Sequence, residues 1–297
     1  MEPERIADYE CGTGEGPLWH PEDGVLYWVD IPAGRLFWYD PVADVHECCY
    51  ERDGPIGGFT IQADGSLLLF EEGGRIERWE DGQTDLVLEG IEDEADSRFN
   101  DVIADPRGRV FCGTMPTEDD LGNLYRLDRD GSITTVIEDV DISNGLGFTP
   151  DRSRLYYTES EAEKIYRFAY DEATGSIADR ETFVDLADEA GVPDGLTVDE
   201  EGYVWSARWD GGCLVRYSPD GEEVARVEFP ARKVSSVTFG GEHYEEAYVT
   251  TALGESLAAG ETVADRRAEE GSGAGALFRV ELGVSGVPEF RSRIELE

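Results

Sequence analysis

Three segments of the sequence carry an oxygen-bearing side chain beside glycine, just ahead of a predicted strand. Glu15 stands in GEGPLW, Asn144 in SNGL and Asp194 in PDGL. Carboxylate and amide oxygens suit a hard or borderline divalent cation, so the three residues are candidate metal ligands. A single Asn-Gly or Asp-Gly pair more often marks a plain turn. The hypothesis therefore depends on the recurrence of this arrangement at equivalent places in a repeat.

Covalent catalysis by a side-chain nucleophile finds little support. His20, His46 and His243 show no metal-ligand spacing, and neither a Gly-x-Ser-x-Gly elbow nor a plausible Ser/His/Asp set occurs. The five cysteines are odd in number and contain no Cys-x-x-Cys spacing, which indicates reduced thiols rather than disulfides or a zinc site. The sequence favours metal-assisted chemistry, with Asp194 as the best candidate general base because a carboxylate beside a metal can take a proton from water.

A repeated unit must position these residues. A turn with Asp or Gly followed by an apolar-aromatic strand occurs six times, and a second strand-like element follows each copy at intervals of about 40 to 60 residues. This pattern predicts an all-β fold, a six-bladed β-propeller formed by residues 1–297 as one domain. Two stacked β-sandwiches are the structural alternative. The first elements span 21–30, 63–70, 105–114, 150–159, 199–207 and 245–252, and the second span 34–41, 74–82, 122–131, 164–175, 212–221 and 275–281.

Few segments depart from the strand pattern. Only residues 184–191 and 261–270 have a sequence typical of a short helix. The acidic run 92–96 is expected to be a solvated loop. The polar, Gly- and Ala-rich stretch 252–275 is predicted to be a surface loop inserted in the last blade. The first ten residues could supply a strand that closes the ring against the C-terminal segment.

The charge balance excludes several classes of protein. There are 67 Asp and Glu against 25 Lys and Arg, a formal net charge of −42, and the mean hydropathy is −0.43. We expect no nucleic-acid partner, since a phosphate-binding face needs clustered basic residues, and no membrane span. Such acidity suits a salt-rich cytosol, as in an extreme halophile, where molar salt screens the repulsion; an ordinary acidic protein is the alternative. The start of the chain lacks an apolar signal region, so we expect a cytoplasmic protein, a monomer or weak homodimer.

Several segments together resemble the gluconolactonase family of sugar lactonases, which includes regucalcin. They include GEGPLW, RFNDVIADPRGRVFCGTM, DISNGLGFTPD and PDGLTVDEEGYVWSARWDGG, and the resemblance runs from Gly14 to about Phe290. It implies a six-bladed propeller that hydrolyses a sugar lactone with one divalent metal ion in its channel. It places the metal ligands on Glu15, Asn144 and Asp194, with Ca, Zn, Mn, Mg or Fe(II) as the ion.

The resemblance also implies the substrate-binding residues. These are Arg98 and Asn100 in RFND and, in a variable loop, Glu118 in GTMPTE. Val102 stands where the family usually has glycine, which alters the pocket wall. Two other functions are compatible with the sequence: a non-catalytic calcium-binding or interaction propeller, and a promiscuous esterase or phosphotriesterase on the same scaffold.

Overall fold

The repeated unit forms six four-stranded antiparallel sheets arranged in a ring, a six-bladed β-propeller. The computed structural model describes residues 2–254 and 256–295. The first strand, β1 (Glu4–Asp8), belongs to the last blade. Blades 1 to 3 follow, each from its inner to its outer strand: β2 (Gly14–His20), β3 (Val25–Asp30), β4 (Arg35–Asp40), β5 (Val45–Glu51); β6 (Ile56–Ile61), β7 (Leu67–Glu71), β8 (Ile76–Glu80), β9 (Gln83–Leu88); β10 (Phe99–Ala104), β11 (Val110–Thr114), β12 (Gly122–Leu127), β13 (Ile133–Val140).

The second half of the chain repeats this order, so the all-β, six-bladed prediction is confirmed. Within the described ranges, two short helices interrupt the strands, a 3₁₀ turn at Glu92–Glu94 and α1 (Val263–Glu270). Blades 4 to 6 consist of β14 (Ser143–Phe148), β15 (Arg154–Glu159), β16 (Lys164–Asp171), β17 (Ser176–Asp185); β18 (Val192–Val198), β19 (Val204–Trp209), β20 (Cys213–Tyr217), β21 (Glu223–Glu228); β22 (Lys233–Gly240), β23 (Glu246–Ala252), β24 (Ala276–Glu281) and β1.

The two predicted elements of each repeat are the second and third strands of a blade, and the Asp and Gly of the turn have a visible role. Asp105 Oδ1 accepts hydrogen bonds from the backbone N–H groups of Arg107 and Arg109, at 2.7 and 3.0 Å. Gly108 takes a φ of +89°, a left-handed conformation that favours glycine. Asp199 and Gly202 repeat this turn in blade 5. The recurring motif is therefore an Asp-supported turn that joins the first and second strands.

The core consists of the layers between adjacent blades. Strands β7 and β11 are buried along their whole length, because both of their faces pack against neighbouring blades. The outer strands are largely exposed and charged, as in β21, which limits edge-to-edge pairing between molecules. Blades 5 and 6 share a typical layer, in which Trp205 and Leu214 pack with Val249 and Phe278.

The ring closes through the N-terminal strand, as predicted. β1 pairs antiparallel with β24, with Glu4 opposite Arg279 and Asp8 opposite Ala276. Blade 1 then packs on blade 6 through the stacked rings of Trp19 and Tyr248, whose centroids lie 6.1 Å apart. Each inner strand consequently contacts the inner strands of its two neighbours around one central channel.

A C-terminal arm, residues 284–295, crosses the face of the propeller where first strands turn into second strands. The backbone N–H of Gly286 donates to Tyr244 O at 2.8 Å, and Ser292 N–H donates to Ile61 O at 2.9 Å. The arm thus runs from blade 6 past blade 2 to blade 3, where Arg293 N–H donates to Gly108 O. Its Glu289 lines a small chamber of about 70 Å³ inside the channel. The opposite face, where the inner strands begin, holds the open end of the channel.

Three local predictions have different outcomes. The stretch 184–191 is not a helix, because β17 continues to Asp185 and turns follow, whereas 261–270 does contain α1. The acidic run 92–96 is not wholly solvated: Glu94 is buried and accepts hydrogen bonds from Asn123 and Tyr125. The predicted loop 252–275 connects β23 to β24 and carries α1; its residue 255 lies outside the described residues. No helix among the described residues has the length and apolarity needed to cross a bilayer.

Candidate functional site

A bulge near the start of each inner strand turns side chains into the channel. The antiparallel register shifts between Glu15 and Leu18 in β2, and again at the equivalent place in all six inner strands. Bulges leave a residue outside the regular pairing and re-aim its side chain. Asn100, Asn144 and Asp194 lie at such places. The polar residues therefore stand within the inner strands, not ahead of them as the sequence suggested.

Two buried carboxylates share this part of the channel, and the nearby Arg98 offsets their repulsion only in part. Glu15 and Asp194 are 3% and 4% exposed, and neither forms a salt bridge with a described residue. Burial, together with the negative charge of Asp194 and then of Asp101, raises the pKa of Glu15 well above its usual value. Burial and the charge of Asp101 likewise raise the pKa of Asp194. The pair is electrostatically unsatisfied, and a proton or a cation would relieve it.

A chain of hydrogen bonds fixes the orientation of the Asn144 side-chain amide. Ser160 Oγ must donate to the carbonyl oxygen of Pro193, at 2.7 Å, because that oxygen can only accept. Ser160 Oγ therefore accepts from Asn144 Nδ2, at 2.8 Å, and the Asn144 Oδ1 atom is left facing Asn100. This oxygen accepts from Asn100 Nδ2 at 2.6 Å and retains a second lone pair.

The same chain reaches the guanidinium of Arg98. Asn100 Nδ2 also donates to Ser143 O at 2.8 Å, while Asn100 Oδ1 accepts from Arg98 Nη1 at 2.8 Å. Burial lowers the pKa of Arg98 to about 10, and the charges of Glu15, Asp101 and Asp194 act against that lowering. Arg98 forms no salt bridge with a described residue, so a simple structural ion pair does not account for it.

These side chains form the polar floor of a cavity of about 950 Å³ at the open end of the channel. Five of the six predicted site residues line it: Glu15, Arg98, Asn100, Asn144 and Asp194, the last of which was assigned two roles. Trp209 and Met115 stand on its wall. The volume lies at the upper end of the range for small-molecule sites.

Glu118 is placed elsewhere. It is exposed in the loop between β11 and β12 and does not line the cavity, although Met115 at the start of that loop does. A turn in which Thr117 N–H donates to Asp120 O holds this loop. Val102 lines the small inner chamber and packs closely against Gly58 of blade 2, so it narrows the channel below the site.

Two residues near the site, Asp101 and Ser160, were not predicted to have a role. Asp101 lies in RFND, and burial raises its pKa to about 7 even though Arg98 opposes the shift. Ser160 ends the segment YYTES and orients Asn144. Asp101 could have been found from its place beside Asn100. Ser160 gave no such signal, because its role arises from contacts between blades 4 and 5.

The donor set fits a hard divalent cation. Glu15 and Asp194 offer carboxylate oxygens and Asn144 an oriented amide oxygen, all three residues are buried and line the same cavity, and the excess negative charge favours a dication. No group of three or more His, Cys, Asp or Glu suited to a metal occurs in residues 2–254 and 256–295. A metal here would thus depend on the amide and on water or substrate for its remaining ligands.

Comparisons with known proteins identify the family to which the chain is similar. Residues 13–253 match the model of the SMP-30/Gluconolactonase/LRE-like region. The chain is 51% identical over 293 residues to the pentonolactonase XacC of Haloferax volcanii, covering 98% of each chain. It is 32% identical over 301 residues to regucalcin of Oryctolagus cuniculus, covering 97% of each. Among solved structures it resembles a luciferin-regenerating enzyme, with a TM-score of 0.86, 26% identity and coverage of 98% and 99%.

Proposed function

The chain belongs to the SMP-30/gluconolactonase/LRE-like family, and we propose that it is a lactonase that opens pentono- or hexonolactones to aldonic acids with one divalent metal ion. One observation carries the proposal: the inner-strand bulges bring Glu15, Asn144 and Asp194 together beside Arg98 and Asn100 in one cavity. The lactone would come from oxidation of a sugar at its anomeric carbon, within an oxidative route of sugar degradation.

Glu15, Asn144 and Asp194 would hold the metal. When bound, a dication supplies Lewis acidity, which polarises a carbonyl and lowers the pKa of coordinated water. The protein keeps the ligand oxygens dry and oriented, through burial of the two carboxylates and through the hydrogen bond from Asn144 to Ser160.

The remaining steps belong to side chains of this protein. Asp194 takes a proton from the attacking water and returns it to the ring oxygen as the ester bond breaks. Arg98 and Asn100 bind the sugar hydroxyls, and Arg98 also stabilises the negative charge that develops on the carbonyl oxygen. The Asn100 amide is held at both ends, so it presents a fixed edge to the ring. The anionic product leaves a strongly negative protein readily.

Acid release in a pH-stat at molar KCl tests this proposal. The substrates are xylono-, arabinono-, galactono- and gluconolactone, and each divalent ion is restored in turn to metal-stripped protein. We expect metal-dependent hydrolysis above the spontaneous rate. Glu15→Gln should weaken the metal response, whereas Glu94→Gln, a matched change at a buried glutamate outside the channel, should not.

Two outcomes would overturn the proposal. Metal binding without turnover of any lactone would favour the non-catalytic calcium-binding propeller. Faster turnover of aryl esters or phosphotriesters than of every sugar lactone would favour the promiscuous hydrolase. The absence of a salt bridge to Arg98 argues against the first of these, because a simple metal buffer has no use for an available guanidinium beside its ligands.

A further inference from the structure

The segment that connects β23 to β24 is fastened over the mouth of the site cavity. Its helix α1 begins with a capping box, in which Thr262 Oγ1 accepts from Asp265 N–H at 3.2 Å and Asp265 Oδ2 accepts from Thr262 N–H at 3.0 Å. Its last residue, Glu270, binds Lys233 Nζ at 2.7 Å. The capping box stabilises the helix, and the ion pair attaches its end to the start of blade 6, so the segment is a built wall of the cavity.

This wall completes an apolar collar above the polar floor. Leu257 and Val263 come from the connecting segment, and other blades supply the rest. We define the apolar collar as six residues that line the cavity: Ile31, Met115, Ile142, Trp209, Leu257 and Val263. Leu257 is 38% exposed, so a ligand in the cavity can contact its side chain.

The collar is poorly suited to sugar hydroxyls. Apart from the indole N–H of Trp209 and the weakly accepting sulfur of Met115, its side chains offer no hydrogen bond. A hydroxyl pressed against such a surface loses its water without gaining a partner. An alkyl group there gains affinity, by about fourfold for each buried methylene. The polar floor and the collar therefore favour different parts of a substrate.

We propose that the site also hydrolyses lactones whose ring carries a short alkyl chain. This inference rests on the proposed lactonase function. The floor holds the ring ester at Asp194 and Arg98, and the chain extends along the collar toward Leu257. Water adds to the carbonyl carbon, the ring C–O bond breaks, the ring oxygen gains a proton, and a hydroxycarboxylate and one released proton result.

A homologous series of γ-lactones tests this inference. The kcat/KM is measured by pH-stat at molar KCl for γ-butyrolactone and for γ-lactones with methyl to hexyl chains. We expect an increase of about two- to fourfold per methylene over the first few carbons. Leu257→Ser should reduce the ratio of kcat/KM between the hexyl and the unsubstituted lactone by about tenfold. Val42→Ser is the control, because Val42 is 94% exposed on the opposite face.

The outcomes separate the two proposals. A flat series in wild-type protein that still opens sugar lactones would overturn the alkyl-lactone inference alone. A rising series that Leu257→Ser leaves unchanged would also overturn it, since the collar would not be the cause. Failure to open any lactone would instead overturn the proposed function.

Discussion

Ser160→Ala should weaken metal binding although Ser160 is not itself a proposed ligand. The hydroxyl donates to Pro193 O at 2.7 Å and accepts from Asn144 Nδ2 at 2.8 Å. Alanine leaves a buried carbonyl oxygen and a buried amide N–H without partners, which costs about 1–3 kcal/mol for each group. The Asn144 amide also loses the contact that sets its orientation. Metal affinity should then fall by about 10- to 100-fold, the usual range for a residue that orients a ligand.

Thr158→Val provides a matched control on the same blade. Thr158 pairs across the sheet with Asn144, yet its buried hydroxyl has no hydrogen-bond partner among the described residues. Valine has nearly the same shape, so this change should leave metal affinity unchanged and stability equal or higher.

Calorimetric titration of the metal-stripped variants at molar KCl measures the effect, with thermal unfolding in parallel. At saturating metal, Ser160→Ala should recover most of the wild-type kcat, since the residue acts through Asn144. A metal dissociation constant within about twofold of wild type, despite lower thermal stability, would show that Ser160 has only a structural role and would refute the proposed orientation of Asn144.

Four further results are expected. Asp194→Asn should lower kcat by about 10²- to 10⁴-fold at saturating metal, as pH-stat rates will show; near-normal rates would exclude it as the base. Arg98→Ala should mainly raise KM, by about 10- to 100-fold, with Arg98→Lys as the charge-conserving control. Metal affinity should increase with pH in calorimetric titrations, because the raised pKa values of Glu15 and Asp194 mean that protons compete with the cation. Glu289→Gln should stabilise the protein at pH 8 and not at pH 4.5 in thermal unfolding: burial raises the Glu289 pKa to about 7, so its stabilising contribution is lost between pH 4.5 and about 7.

The fold was predictable because its signal is repeated. A turn and two strands recur in each of the six blades, and an Asp side chain supports the turn in blades 2 to 5. Because each copy is local in sequence, few other arrangements are compatible with the pattern. The prediction of a short helix at 184–191 was wrong because exposed acidic residues and alanines, which favour helices, also occur in turns. The burial of Glu94 was not predicted, because its partners Asn123 and Tyr125 come from β12, 29 and 31 residues further along the chain.

The site was predictable only in part. A local sequence feature identifies the three candidate ligands: each of Glu15, Asn144 and Asp194 is a polar residue beside glycine at a strand bulge. The repeat puts all three at one height in the channel. Glycine is required at such a place: a Cβ on Gly145 would come within 2.5 Å of the Asp194 carbonyl oxygen. Ser160 has no such local sequence feature. Glu118 is the opposite case. It was assigned from a motif in a loop, and the loop does not bring its side chain to the cavity.

The repulsion among the exposed carboxylates of this protein and the repulsion between its buried carboxylates are relieved in different ways. The net charge of −42 lies mostly on exposed side chains, and molar salt, with a Debye length of about 3 Å, screens their repulsion. Glu15 and Asp194 are buried together, so mobile ions screen their repulsion much less. Arg98 offsets this repulsion only in part, and a proton, a bound dication or a substitution relieves the rest. Salt should therefore stabilise the fold, and the proposed metal should add to the melting temperature even at saturating KCl. Asp194→Asn should raise the melting temperature of the metal-free protein and remove most of the metal's increment. If KCl alone abolished that increment in wild-type protein, the two carboxylates would not be the metal's ligands.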